Sequence, residues 1–215
     1  MTGLIFTGGE GPLPKKEILE IIKDASITVA ADSGLHLAEK FNITPNFILG
    51  DMDSVKNVDN ILEKYPKENV FRHKEDKDFT DTELALSFLA EKGCTKTIIL
   101  GGSGGRTDHF FGIFCLFFRE MHPDIWILKE EIAWNVKGKF SLNSIEGETI
   151  SIFPLSEENR MKSKGLKWEL GSLVWKIGDA GISNIALGKK IEIEMIKGRL
   201  LLFKNLRVTN EKNCF

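Results

Sequence analysis

The chain has 215 residues, 42% apolar and 28% charged, with a formal net charge of −2, which fits one large or two small globular domains with a substantial core. This balance excludes a nucleic-acid partner held by basic excess and a basic membrane-surface helix, and the longest central apolar run, Phe110 to Phe118, is far shorter than the ~20 residues that cross a bilayer. The N-terminus carries no basic n-region, so no secretory signal is expected, and Cys94, Cys115 and Cys214 are scattered and odd in number, which suits reduced thiols in a cytoplasmic protein.

From residue 1 to about 130, short β-rich runs alternate with helical patterns. Leu4-Ile5-Phe6-Thr7 ends in Gly8-Gly9-Glu10-Gly11-Pro12, and Pro14 opens a helix through Ile18 and Ile22. Ile27 to Ala31 ends in Asp32-Ser33-Gly34 and a helix through Leu35, Leu37 and Phe41. Phe47-Ile48-Leu49 ends in Gly50-Asp51-Met52-Asp53-Ser54, followed by a helix through Val58, Ile61 and Leu62. Asn69 to Arg72 runs into the loop His73 to Thr80, where His73 and Lys74 read as solvated. Thr80 with Glu83 has capping-box form, and Leu84, Ala85, Phe88 and Leu89 repeat at helical spacing until Gly93. Thr97 to Leu100 ends in Gly101-Gly102-Ser103-Gly104-Gly105-Arg106-Thr107-Asp108-His109. A Phe-rich helix of core or interface type and a sixth run, Ile125 to Leu128, complete this half.

Strands alternating with helices imply right-handed crossovers and a mostly parallel sheet flanked by helices. The acidic or glycine-rich loops after the first five strands then share one edge of that sheet. The connections at the other edge, such as Lys23-Asp24-Ala25-Ser26 and Asn42-Ile43-Thr44-Pro45, are plainer. In open α/β sheets the carboxyl edge is where ligands bind, which places an active site there.

From about residue 131 to 215 helical periodicity fades, and β-rich segments separated by turns point to a small β-sandwich or barrel. Glu148 to Phe153, Gly165 to Leu170 and Ser172 to Ile177 read as strands. Lys190 to Ile196 alternates apolar and charged residues, then Lys197-Gly198-Arg199 leads into Leu200 to Phe203; this reads as a hairpin.

Asp32, Asp51, Asp53, Asp78, Asp81 and Asp108, with Arg106, crowd one edge. So many carboxylates repel unless cations neutralise them, and Mg²⁺ with a nucleotide polyphosphate does so economically. Glycine N–H groups and Arg106 can cradle phosphates. Gly101 to Gly105 lacks the Gly-Lys-Ser/Thr ending of a P-loop, and no Ser/His/Asp or Cys/His nucleophile arrangement stands out. Phosphoryl-type transfer needs mainly positioning and charge neutralisation, which suits this set. Taken alone, Gly50 to Ser54 reads equally as a solvated acidic turn, His109 as a helix-start residue, Trp168 as a sandwich-core aromatic and Ser183-Asn184 as a turn.

Ala31-Asp32-Ser33-Gly34, Gly50 to Ser54, Lys77 to Glu83, Gly101 to His109, Gly165 to Leu170 and Gly181-Ile182-Ser183-Asn184 stand in this order. The set resembles the thiamine pyrophosphokinase family, over nearly the whole chain. The resemblance implies an α/β catalytic domain over 1–130, a β-sandwich thiamine-binding domain over 131–215, and a homodimer with active sites between subunits. It implies transfer of diphosphate from ATP to the thiamine hydroxyl. It implies Mg²⁺ held by Asp51, Asp53 and Asp81 with Asp78 in support. ATP would face Arg106 and the loop of Gly101, Gly102, Gly104 and Gly105, with Asp32 and Asp108 lining the cleft. Trp168 would stack on thiamine, a cationic flat ligand that suits an indole face, and Ser183 with Asn184 would hydrogen-bond its pyrimidine. Two rivals stand beside this reading: a related diphosphokinase acting on a pterin or other small alcohol, and a non-catalytic thiamine or nucleotide binding module.

Overall fold

The computed structural model describes residues 1–52, 65–72 and 78–206. The chain divides into two compact units, Met1–Lys129 and Glu130–Phe215. The helix expected through Val58, Ile61 and Leu62, the loop residues His73 and Lys74, and Asp53 lie outside the described residues.

The first unit holds β1 (Thr2–Phe6), β2 (Ala25–Ala31), β3 (Phe47–Gly50), β4 (Val70–Arg72), β5 (Lys96–Leu100) and β6 (Ile125–Ile127). Their spatial order is β4-β3-β2-β1-β5-β6, and every pairing among them is parallel. The helices are α1 (Lys16–Ile22), α2 (Gly34–Lys40), α3 (Asp81–Glu91) and α4 (Thr107–Leu116). Consecutive residues of the central strands, Leu4-Ile5-Phe6 and Ile98-Ile99-Leu100, are fully buried. Both faces of the sheet are therefore covered, as parallel sheets require. Each such side chain contributes up to about 1.5–3 kcal/mol. The Thr80–Glu83 capping box forms: Glu83 N–H donates to Thr80 Oγ1 at 3.3 Å and Thr80 N–H to Glu83 Oε2 at 2.7 Å.

The second unit holds β7 (Glu131–Val136), β8 (Lys139–Asn143), β9 (Thr149–Pro154), β10 (Arg160–Lys164), β11 (Gly181–Ile185), β12 (Lys190–Lys197) and β13 (Leu200–Asn205). Its strands form two antiparallel layers, β11-β9-β13-β7 and β10-β12-β8. Ile150, Ile152, Leu200 and Leu202 of the first layer meet Met161, Ile191 and Ile193 of the second in one core. Here the structure corrects two sequence expectations. β12 and β13 are not a hairpin: β12 pairs with β10 and β8, whereas β13 pairs with β7 and β9. Lys197-Gly198-Arg199 is a corner between layers, held by Arg199 N–H donating to Asn159 Oδ1 at 3.2 Å. Ser172 to Ile177 is not a strand; within it only Trp175 bridges, to Asn159. Short apolar alternation shows that one face is buried, not which neighbour a strand takes.

Candidate active site

The order of the parallel strands sets the location. From β1 the chain steps outward through β2, β3 and β4, then crosses to β5 on the other side of β1. β1 and β5 therefore flank a topological switch point, and in open α/β sheets ligands bind beyond the carboxyl ends of the strands at such a point. A cavity of about 620 Å³ lies there. Thr7, Gly8 and Gly9 line it from β1, Asp32 and Ser33 from β2, and Thr80, Asp81 and Thr82 from the start of α3. Gly102, Gly104, Gly105, Arg106, Asp108 and His109 line it from the loop after β5 and the first turn of α4.

The two glycine loops are zipped together. Glu10 N–H donates to Ser103 O at 2.5 Å, Ser103 N–H to Glu10 O at 2.9 Å, and Gly102 N–H to Gly8 O at 2.9 Å. Lys129 Nζ pairs with Glu10 at 2.7 Å, and that hydrogen bond holds the Glu10 carboxyl below its ordinary range. From beneath, the buried Trp126 indole donates from Nε1 to Gly101 O at 2.9 Å. Gly102 has φ +78°, a backbone conformation in which a side chain is strained, and a Cβ there would also press on Ile113 Cδ1, so glycine is favoured. A buried hydrogen bond of 2.7 Å between the Thr7 and Thr82 hydroxyls pins the start of α3 to the end of β1.

The acidic residues arrive by different routes. Asp32 sits at φ +47°, an uncommon conformation for a residue with a side chain, and donates its N–H to Leu49 O at 2.8 Å. A Cβ on Gly50 (φ +144°) would lie 3.2 Å from the Asp32 Cα, so the turns after β2 and β3 nest closely. Met52 is also at positive φ and buries its side chain with Ala30, Leu35 and Ile48. Asp81 opens α3 beside its N-cap Thr80. Asp108 chelates Arg106: Nε donates to Oδ1 at 3.2 Å and Nη2 to Oδ2 at 2.6 Å. That pairing holds the Asp108 carboxyl below, and the Arg106 guanidinium above, their ordinary values.

Of the residues singled out from sequence, the cavity thus gathers Asp32, Asp81, Gly102, Gly104, Gly105, Arg106 and Asp108. Asp51 is half-buried and Asp78 exposed, both outside the lining, and Gly101 lies beneath the loop on Trp126. Among the described residues, no three His, Cys, Asp or Glu side chains converge as a metal cluster; Asp53 is not among those described. Sequence reasoning missed Thr7, Thr82 and Trp126. The two threonines carry only the weak signal of hydroxyls at a strand end and a helix start. Trp126 reads as ordinary core.

In the second unit Trp168 is 54% exposed, which corrects its reading as a core aromatic. It lies in a turn over 165–170 rather than a strand. That turn runs beside β11 and the residues after it: Lys167 N–H donates to Ile185 O at 2.8 Å and Leu187 N–H to Gly165 O at 2.9 Å. The apolar Ile185-Ala186-Leu187 stretch follows, because Ala186 is fully buried where it bridges Leu166. Ser183 stands exposed at φ +60°, and the Asn184 amide bonds the backbone of Trp168.

A parallel α/β unit with glycine loops and carboxylates at its switch point has the build of a phosphate-handling domain; here a separate β-sandwich unit follows it. Comparison with known proteins is consistent at both units. Residues 18–128 match the family model described as thiamin pyrophosphokinase, catalytic domain, and residues 136–200 match that of the thiamin pyrophosphokinase vitamin B1 binding domain. The thiamine pyrophosphokinase of Bacillus subtilis is 26% identical over 189 residues, spanning 84% of this chain and 87% of that protein. Thiamine pyrophosphokinase 1 of Oryza sativa is 26% identical over 165 residues, 69% of this chain and 62% of the plant protein. The fold is similar to the crystal structure of thiamine pyrophosphokinase from Bacillus subtilis, with a TM-score of 0.78 at 24% identity over 97% of this chain and all (100%) of that one. It is also similar to thiamin pyrophosphokinase from Candida albicans, with a TM-score of 0.72 at 16% identity, covering 96% and 90% of the two chains. The chain belongs to the thiamine pyrophosphokinase family.

Proposed function

We propose that the chain transfers a diphosphate group from Mg·ATP to the hydroxyl of thiamine, giving thiamine diphosphate and AMP. The hydroxyl oxygen forms a bond to the β-phosphorus, the bond from that phosphorus to the oxygen of AMP breaks, and the hydroxyl proton is released. The observation that carries this reading is the switch-point cavity, which unites glycine backbone, the Arg106 fork and the Asp32, Asp81 and Asp108 carboxylates. The match to a vitamin B1 binding domain in the second unit supports thiamine as acceptor.

Each group has a task that its chemistry suits. The N–H groups of Gly101, Gly102 and Ser103 are spent on Ile127, Gly8 and Glu10, so the N–H groups of Gly104 and Gly105 on the cavity wall, with the N-terminus of α4, are the ones to favour phosphate oxygens. The Arg106 guanidinium offers paired donors to the transferring phosphates, exchanging its Asp108 partner for them. With three carboxylates and one guanidinium on the cavity, a polyanion needs added cations. Asp51, Asp53 and Asp81 would hold Mg²⁺, an oxygen-only set of the kind that ion prefers. Bound there, the ion would neutralise negative charge on the phosphates. In the second unit Trp168 would offer its exposed indole to the vitamin, with Ser183 and Asn184 close by.

This reading includes a homodimer, which sedimentation of the purified protein tests, and a cytoplasmic setting. The free thiols of Cys94 and Cys115 support that setting, and no helix among the described residues is long and apolar enough to cross a membrane. The decisive experiment incubates the protein with Mg·ATP and thiamine. AMP and thiamine diphosphate are expected in equal amounts, and EDTA should abolish both. ADP as the only nucleotide product would remove diphosphate transfer.

A further inference from the structure

Asn184 is 5% exposed, one of few polar side chains buried in the second unit. Its Oδ1 accepts the Trp168 N–H at 3.1 Å and the Ile185 N–H at 2.8 Å, and its Nδ2 donates to Trp168 O at 2.7 Å. The amide thus meets both backbone polar groups of Trp168, as a neighbouring strand would. Both lone pairs of Oδ1 are taken, so that oxygen has no acceptor capacity left for an amino group on a ligand.

Local backbone explains the inward turn. The pairing of β11 with β9 slips between Gly181 and Asn184, and Ser183 adopts φ +60° while donating its N–H to Ser151 Oγ at 3.2 Å. This is a bulge, and bulges re-aim the side chain that follows. The other flank of the turn is held by Glu169. Its Oε1 accepts the N–H groups of Gly165 and Leu166 at 3.0 and 3.3 Å, and its Oε2 is bonded to the Ser163 hydroxyl. That hydroxyl in turn accepts the Leu170 N–H at 2.8 Å. A clamped backbone therefore carries an exposed indole, with the Lys167 ammonium 4.7 Å from its centroid.

We propose that Asn184 is a positioning residue that acts on the substrate through Trp168. It fixes the indole as a platform for a flat cationic heteroaromatic ring and makes no acceptor contact of its own. The ligand half of this inference rests on the function proposed above.

The test uses the full chain labelled with 5-fluorotryptophan, whose ¹⁹F resonance for Trp168 is identified by its loss in Trp168→Phe. In Asn184→Ala, without ligand, the Trp168 resonance should shift or broaden while those of Trp126 and Trp134 stay. Thiamine Kd should rise about tenfold, as for a misplaced platform, with Mg·ATP affinity unchanged. In a Trp168→Ala background, adding Asn184→Ala should change thiamine affinity less than about twofold, because coupled residues are not additive. An unmoved Trp168 resonance overturns the proposal. So does a further tenfold loss in the Trp168→Ala background, which would mean that Asn184 contacts thiamine directly. Should Asn184→Ala not fold, Asn184→Asp keeps the size and the acceptor, lacks the donor to Trp168 O, and is judged by the same readouts. Wild-type protein that binds no thiamine overturns the functional reading and the ligand half of this one, while the resonance still decides whether Asn184 holds Trp168.

Discussion

Asp81 stands where helix geometry and chemistry agree. It is the first residue of α3, after the N-cap Thr80, and a carboxylate in the first turn of a helix is stabilised by about 0.3–1 kcal/mol. It also lines the cavity. Asp81→Asn keeps the shape and removes the charge. Turnover should fall on the order of a hundredfold, as when a single charge-stabilising group is lost, while melting drops by only a few degrees. Near-normal turnover would take Asp81 out of the proposed metal set. Asp81 was legible because acidic residues at a helix start after a strand-end loop are chemically conspicuous. Thr7 and Thr82 were not, because a hydroxyl pair 75 positions apart becomes a pair only when β1 and α3 pack together. Trp168 was open to two readings in the sequence: residue type favoured the core, because aromatics are usually buried, whereas the structure leaves it 54% exposed on a turn bonded by Asn184 and Glu169.

Elements were legible where local signals sufficed. Each strand of the first unit is a short apolar run closed by turn residues, and the capping box marks α3, so alternation alone implied the parallel sheet. In the second unit the strands were visible but their partners were not, as β12 and β13 show by joining different layers. Nor did sequence mark the role of Lys204 in β13. Its side chain is 9% exposed, pairs with the 10%-exposed Glu148 at 3.2 Å, and donates to Asn143 O at 3.0 Å. A lysine near the end of an apolar strand reads as a solvated edge residue, whereas here it ties β13 to the segments ending β8 and preceding β9. Removing one partner of a buried pair leaves the other charge uncompensated, at about 3–5 kcal/mol. Lys204→Ala should therefore lower stability in urea by about that much, and Lys204→Met with Glu148→Leu should recover most of it. An Ala variant within about 0.5 kcal/mol of wild type would show that the pair is solvated in solution.

At the scale of the whole molecule, chemistry divides between the two units. The phosphate-type cavity is built wholly from Met1–Lys129, and the clamped indole wholly from Glu130 onward. Ligands matched to those sites should leave separate footprints in amide hydrogen exchange. Mg·ATP alone should protect the loops over 8–10 and 101–105, whose N–H groups lie at or beside the cavity. Thiamine alone should protect the turn over 165–170 and β11. Each ligand at about a hundred times its Kd stabilises the state that binds it by ~2.7 kcal/mol, enough to slow local opening about a hundredfold. Thiamine protecting only the glycine loops would contradict this division and move the vitamin site into the first unit. Protection of both regions by Mg·ATP alone would instead mean that the nucleotide orders the vitamin platform, making the two sites energetically coupled.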